Sequence, residues 1–144
     1  MSRLMFVKTK KGRVSMAISG IYGNTISMAS KALDFLWTKE SVISDNLANV
    51  ETPEYKAKYV TFEEEFQRRL EAAGNGSAQD IAKAIDASRY QIHTSDEESS
   101  RVDGNNVNAD VEIMELTRTS LQYQYLLRSV TSDISRLNTV ITGQ

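Results

Sequence analysis

Two apolar stripes, one near each end of the chain, keep alternating three- and four-residue spacing over long stretches. The first runs Ile26, Ala29, Leu33, Leu36, Glu40, Ile43, Leu47, Val50, and the second Ile113, Leu116, Ser120, Tyr123, Leu127, Val130, Ile134, Leu137, Ile141. Seven of eight positions in the first and eight of nine in the second are apolar or aromatic. A repeat of this period is the a/d seam of helices that lie lengthwise against other helices. At about 1.5 Å per residue the two helices span roughly 37 and 43 Å. The spacing therefore predicts a mainly α chain. Its long N- and C-terminal helices pack as an antiparallel coiled coil, joined by a small middle region of extended segment and short helices. Trp37 and Val42 widen the first helix's apolar surface beyond one seam, and Tyr125 lies off the second seam beside Leu126. Helices with more than one apolar face suit packing between chains. The expected assembly interface is Ile26, Leu33, Leu36, Trp37, Ile43, Leu47, Val50, Ile113, Leu116, Tyr123, Leu127, Val130, Ile134, Leu137 and Ile141.

At 144 residues the chain reads as one domain in four parts. Residues 1–15 form a basic arm, 16–50 the N-terminal helix, 51–109 the middle region and 110–144 the C-terminal helix. The arm holds Arg3, Lys8, Lys10, Lys11 and Arg13 with no acid, and either Met1 or Met16 fits as the start. The middle region carries twelve acids and seven bases, and the whole chain has a net charge of -2. That balance gives no concentrated basic face for nucleic acid. The chain has no cysteine, which excludes disulfides and thiolate chemistry. No apolar run approaches the ~18 residues of a membrane span. Ser19, Gly20, Gly23 and Asn24 interrupt the stretch after the arm, so a cleaved secretory signal is not expected.

Local signals divide the chain further. The first helix is expected to begin near Thr25 or Ser27 and to end before Pro53, the only proline. Tyr55 to Val60 reads as extended. Thr61 with Glu64 reads as a capping box opening a helix over Phe62 to Ala73, which Gly74-Asn75-Gly76-Ser77 ends. Gln79 to Ala87 has room for two helical turns, and Tyr90 to Thr94 for a strand. The polar run Asp96 to Ser100 reads as loop, and Asp103-Gly104 as a turn. Asn108 or Asp110 then caps the second long helix, with Glu112 and Glu115 near its positive end. A single helix of this kind is marginal alone, so the ends need each other and neighbouring chains.

Catalytic constellations are absent from the pattern. His93 is the only histidine, and Glu63-Glu64-Glu65 places consecutive carboxylates in different directions around a helix. Gly20 to Gly23 lacks the lysine and hydroxyl of a phosphate loop. The reading is a protein that is not an enzyme, with no cofactor, no metal site and no small-molecule substrate.

At Ser44 to Lys58 the chain resembles the axial proteins of the bacterial flagellum. Rod and hook members end their N-terminal heptad helix in a motif similar to (A/S)-x-N-(I/L)-A-N-x-x-T-x-G-Y. Here Asn46, Leu47, Ala48, Asn49, Thr52, Pro53 and Tyr55 stand in that segment. The partner signature is Asn105-Asn106-Val107-Asn108, followed by the second heptad helix. The short middle region is similar to that of the proximal rod members. One departure is Glu54, where the family commonly has glycine, a residue that admits positive φ freely.

The resemblance implies a structural subunit of the proximal rod, on the periplasmic side of the inner membrane, exported unfolded by the flagellar type III apparatus. It implies as partners other copies of the chain, other proximal and distal rod proteins, the adaptor joining rod to membrane ring, and the export gate. A cytoplasmic coiled-coil adaptor or chaperone that binds a partner helix is the alternative that periodicity alone leaves open.

Overall fold

The computed structural model describes residues 11–73, 77–99 and 101–143, with side chains described outside 11–22, 63, 65 and 73. The elements in order are α1 (Lys11–Ala48), β1 (Lys58–Thr61), α2 (Glu63–Ala73), α3 (Ala78–Ala87), β2 (Gln91–Thr94) and α4 (Ala109–Thr142). The chain is mainly helical, with its two long helices at its ends.

α1 begins at Lys11, well before the expected start near Thr25 or Ser27, and runs through Gly20 and Gly23. Each interior glycine costs a helix only about 1 kcal/mol, and no proline interrupts the segment. Residues 11–15 of the expected arm are therefore helical, while the rest of the arm lies outside the described residues. The helix ends at Ala48, where the turn tightens: Asn49 N donates to the carbonyls of Asp45 (3.2 Å) and Asn46 (3.1 Å), and Val50 N to that of Leu47 (3.3 Å).

In the middle region, β1 and β2 form a two-stranded antiparallel sheet in which Lys58 faces Thr94 and Thr61 faces Gln91. Tyr59 stacks on His93 at 5.3 Å. The expected capping box at Thr61 and Glu64 does not form. Thr61 belongs to β1, and its hydroxyl is bonded to His93 Nε2 at 2.9 Å. A reciprocal box forms instead at the start of α3: Ser77 Oγ accepts from Asp80 N, and Asp80 Oδ2 accepts from Ser77 N at 2.8 Å. Asn108 caps α4, its Oδ1 accepting from Asp110 N (3.1 Å) and Val111 N (3.3 Å).

The core lies where α1 is enclosed on two sides. Phe35, Leu36 and Phe62 are buried together, with Val60 and Phe66 from the middle region and Tyr123 and Leu126 from α4 packed against them. The Phe35 and Phe62 rings stack at 5.1 Å, and Phe62 and Phe66 at 4.8 Å. α3 also lies against α1, buries Ile85 completely, and is joined to it by Asn24 Nδ2, which donates to Ala78 O at 2.9 Å.

α1 meets α4 in reversed order along the chain. Asn46 is bonded to Glu112, Lys39 to Glu115 and Glu40 to Ser120, and Phe35 lies in the cluster with Tyr123 and Leu126. The side of α4 turned inward is not the expected stripe. Leu116, Tyr123, Val130 and Leu137 keep half-buried positions, but Glu112, Thr119, Leu126 and Asp133 take the alternate places. Ile113, Leu127, Ile134 and Ile141, one residue further on in each heptad, stay exposed. The helix is thus rotated toward its polar side. Burying a polar group is tolerable where it finds a partner: Glu112 finds Asn46 on α1, and Glu115 finds Lys39 on α1 beside Arg118 on its own helix.

Candidate assembly site

The two asparagine-rich segments meet where α1 ends and α4 begins. Asn46 is fully buried and all of its amide is used. Its Nδ2 donates to Lys58 O at 2.7 Å and to Glu112 Oε1 at 3.1 Å. Its Oδ1 accepts from Lys58 N at 2.9 Å and from the Tyr55 hydroxyl at 3.4 Å. One side chain therefore ties α1, the first residue of β1 and the first turn of α4. A buried amide left without these partners would cost about 1–3 kcal/mol, so asparagine here is specified by geometry.

Asn105, 1% exposed, acts on the other side of the junction. Its Nδ2 donates to the carbonyls of Asn49 (2.8 Å), Val50 (3.1 Å) and Thr52 (2.9 Å), and its Oδ1 accepts from Val107 N (2.8 Å). The last carbonyls of a helix have no partner inside it, and this side chain supplies one from 56 residues away. Asn106 continues the tie, with Oδ1 accepting from Ala57 N at 2.6 Å and Nδ2 donating to Glu97 O at 3.0 Å. Arg101 adds a guanidinium bond to Val50 O at 2.8 Å and an ion pair to Asp103 at 2.6 Å. Within the first segment, Asn49 Nδ2 donates to Asp45 O and its Oδ1 accepts from Thr52 Oγ1.

Glu54 adopts φ +59°, the left-handed conformation that glycine takes without penalty. It faces Gly104, at φ +78°, and Glu54 N donates to Asp103 O at 2.8 Å. The turn after Pro53 thus keeps the shape that glycine would favour, at the expense of local strain.

Charge at the junction is graded. Burial raises the Glu112 carboxyl above its ordinary 4.5, against the lowering effect of the Asn46 hydrogen bond. Glu115, one turn on, is held below the ordinary value by its bond to the Lys39 ammonium at 3.1 Å. Burial, followed by the nearby carboxylates of Asp45 and Glu112, raises the Tyr55 phenol.

The expected interface residues fall into three environments. Leu36 and Ile43 are buried within the chain; Leu33, Leu47, Val50, Leu116, Tyr123, Val130 and Leu137 are half-buried; Ile26, Trp37, Ile113, Leu127, Ile134 and Ile141 are exposed. Of the motif residues, Asn46, Asn105 and Val107 are buried, Leu47, Asn49, Tyr55 and Asn106 half-buried, and Ala48, Thr52 and Pro53 exposed. Sequence reasoning missed Lys39, Arg101 and Lys56, whose ammonium donates to Gly104 O at 3.0 Å, as junction residues. Glu112 and Glu115 were noted only for their place near the positive end of α4, not for their bonds to α1. His93 serves the sheet. Glu63 and Glu65 lie outside the described side chains, and among the described residues no group of three or more histidine or acidic side chains is placed to hold a metal.

Two terminal helices with their end motifs locked together fit the class to which the motifs pointed, the flagellar axial proteins. No protein-family model matches the chain. It is 35% identical to the flagellar basal body rod protein FlgB of Bacillus subtilis, over 85% of this chain and 97% of that protein. The FlgB of Cereibacter sphaeroides is 33% identical over 85% of this chain and 98% of its own length, and that of Aeromonas hydrophila 30% over 90% and 99%. The chain belongs to the FlgB family of flagellar basal body rod proteins.

Proposed function

We propose that this member of the FlgB family is a structural subunit of the proximal part of the flagellar rod, assembling through its terminal helices. The observation that carries the reading is similarity to rod proteins over nearly their whole length. The helices pack as an antiparallel coiled coil, a reading supported by the reversed order of the Asn46–Glu112, Lys39–Glu115 and Phe35–Tyr123 contacts. Exposed Trp37, Leu127, Ile134 and Ile141 are the side chains available to neighbours. Other copies of the chain, proximal and distal rod proteins, the adaptor to the membrane ring and the export gate are the partners. The subunit reaches the periplasmic side of the inner membrane by flagellar type III export. Among the described residues no helix is long and apolar enough to cross a membrane. The adaptor or chaperone alternative has no support among the relatives.

The test is replacement of the gene by a deletion, and then by Leu127→Asp, in the organism that encodes it. Both strains should lose swimming and lack complete rods in isolated basal bodies. Leu127 is exposed, so the purified Leu127→Asp monomer should melt as the wild type does. Complete rods in the deletion strain would overturn the rod reading; complete rods in the Leu127→Asp strain would overturn the use of that helix face.

A further inference from the structure

We infer that the outer edge of β2 pairs antiparallel with the same edge of a second copy of this chain, Ile92 opposite Thr94, with Arg89 and Glu97 meeting at both ends. The backbone bonds show which edge of the sheet is free. Lys58 N and O both bond the Asn46 amide, at 2.9 and 2.7 Å, so at Lys58 the backbone of β1 faces α1. Its neighbour Ala57 turns the other way, its carbonyl accepting from Ser95 N at 2.7 Å. These groups alternate along a strand, so opposite Lys58 and Val60 the N–H and C=O of Thr94 and Ile92 point away from β1. Among the described residues nothing bonds them there. The alternation continues past β2, since Glu97 O turns inward to Asn106 Nδ2 at 3.0 Å. Asn46 and the long helices lie beyond β1, which leaves the β2 edge open.

Open edges ordinarily carry a device against pairing, such as a lysine, a proline or a bulge. Tyr90 to Ser95 holds no lysine, arginine, acid or proline, and Tyr90 and Ile92 are exposed. What the edge fits is set by the charges that flank it. Exposed Arg89 stands three residues before Ile92, and exposed Glu97 three residues after Thr94. With Ile92 opposite Thr94, position 93 meets its own copy, and Arg89 meets Glu97 twice by symmetry. Asp96 and Glu98 then face Tyr90 and Ser88, so no two acids stand opposite each other. This is the one register that sets Arg89 against an acid: aligning it with Asp96 or Glu98 would bring an outward-bonding residue opposite one that bonds inward. Among the described residues the Glu97 carboxylate has no side-chain partner. Arg89 Nη1 bonds the carbonyls of Asp86 and Ser88, and the guanidinium keeps further donors.

Symmetry and size define the contact further. A two-fold pair closes on itself and adds no third copy. It is therefore separate from contacts that extend a rod, and independent of the rod reading. It engages about seven residues on each side, against about 20–30 for a stable interface, so the dimer is weak and forms where the chain is concentrated.

The chain has no cysteine, so single cysteines read the register directly. In the paired edges the two copies of position 93 lie about 4.5 Å apart at Cα, within disulfide reach. Positions 92 and 94 stand ~8 Å from their own copies, beyond it. In concentrated purified protein under mild oxidation, His93→Cys should form a linked dimer at least about tenfold faster than Ile92→Cys or Thr94→Cys, although His93 is the less exposed position. Sedimentation of the wild type should show a concentration-dependent dimer. Glu97→Arg should weaken it at least about tenfold, and adding Arg89→Glu should restore it. Should His93→Cys fail to fold, having lost its bond to Thr61, the charge exchange still decides. Crosslinking as fast at position 92 or 94, a wild type that stays monomeric, or a double variant no better than Glu97→Arg overturns the inference. So does an unchanged dimer in Glu97→Arg, the result expected of pairing through the terminal helices. None of these outcomes bears on the rod reading, which the deletion strain tests.

Discussion

Asn105→Ala is the most direct probe of the junction. The side chain's two amide hydrogens serve three carbonyls, so the donors amount to no more than two full bonds, and the Val107 N–H bond makes a third. At about 1 kcal/mol net for each bond, and about 1–3 kcal/mol for the buried groups left unpaired, the loss is roughly 4–6 kcal/mol. That is a large share of the ~5–15 kcal/mol that holds a domain together. For a chain of this size it lowers Tm by roughly 8–24 °C. Thermal melts of the purified monomer followed by circular dichroism at the helical band read the shift. Hydrogen exchange should show faster exchange at Thr52 and Tyr55, whose amides bond within the turn that Asn105 holds. Asn105→Asp keeps the acceptor for Val107 but sets a carboxylate against three carbonyl oxygens, so it should be at least as destabilised. A loss under about 1 kcal/mol in both variants would refute the view that Asn105 closes the end of α1.

Thr119 is completely buried and among the described residues its hydroxyl has no hydrogen-bond partner, so Thr119→Val should raise the urea midpoint by the equivalent of about 1 kcal/mol; a lower midpoint would mean that the hydroxyl is satisfied. Glu54→Gly removes the left-handed strain of about 1–2 kcal/mol while loosening the unfolded chain by about 0.4–1 kcal/mol, for a net gain near 1 kcal/mol in thermal melts. A loss there would show that the Glu54 side chain contributes more than its backbone costs. The two α4 carboxylates should respond oppositely to pH. Glu115, held low by Lys39, adds stability above its ordinary 4.5 that is lost as pH falls through its lowered pKa, so Glu115→Gln should be weaker than wild type at neutral pH and level with it in strong acid. Glu112, raised by burial, adds stability below its ordinary 4.5 that is lost as pH rises through its raised pKa, so Glu112→Gln should gain on wild type toward neutral pH; parallel stability curves for the two variants would contradict both assignments.

The heptad spacing disclosed both long helices and the Leu116, Tyr123, Val130 and Leu137 row, because these depend on local period alone. It misplaced the alternate row. Which side of α4 turns inward depends on Asn46 and Lys39, 66 and 76 residues away from their carboxylate partners, and no local pattern encodes that pairing. α1 also buries Phe35 and Val42 beside its seam, since Phe62 and the sheet cover a second side; Val42 was legible as widening the seam, and Phe35 was not. The early start of α1 was missed for a smaller reason. Gly20 and Gly23 weaken a helix without stopping it. At the junction the motif residues could be picked out by type, but their bonds could not. Asn105 as a cap for a helix ending at Ala48 is visible only once the two segments lie together, and Glu54 showed its strain only in the folded turn.

The division between apolar seam and polar junction has a physical logic. A stripe that repeats every seven residues fits its partner nearly as well after a slip of one heptad, so apolar packing alone leaves the alignment of α1 and α4 loosely determined. The polar contacts do not repeat. Asn46 finds Glu112 only in one alignment, and Asn105 reaches the carbonyls at the end of α1 only there. A one-heptad slip would take Glu112 from Asn46 and leave the buried Asn105 amide unpaired, which is the cost the apolar stripe lacks. Concentrating these contacts at the end where the chain turns back also leaves the length of the helices free of such demands. The offset between α1 and α4 is then set by the junction rather than by the faces of the helices themselves.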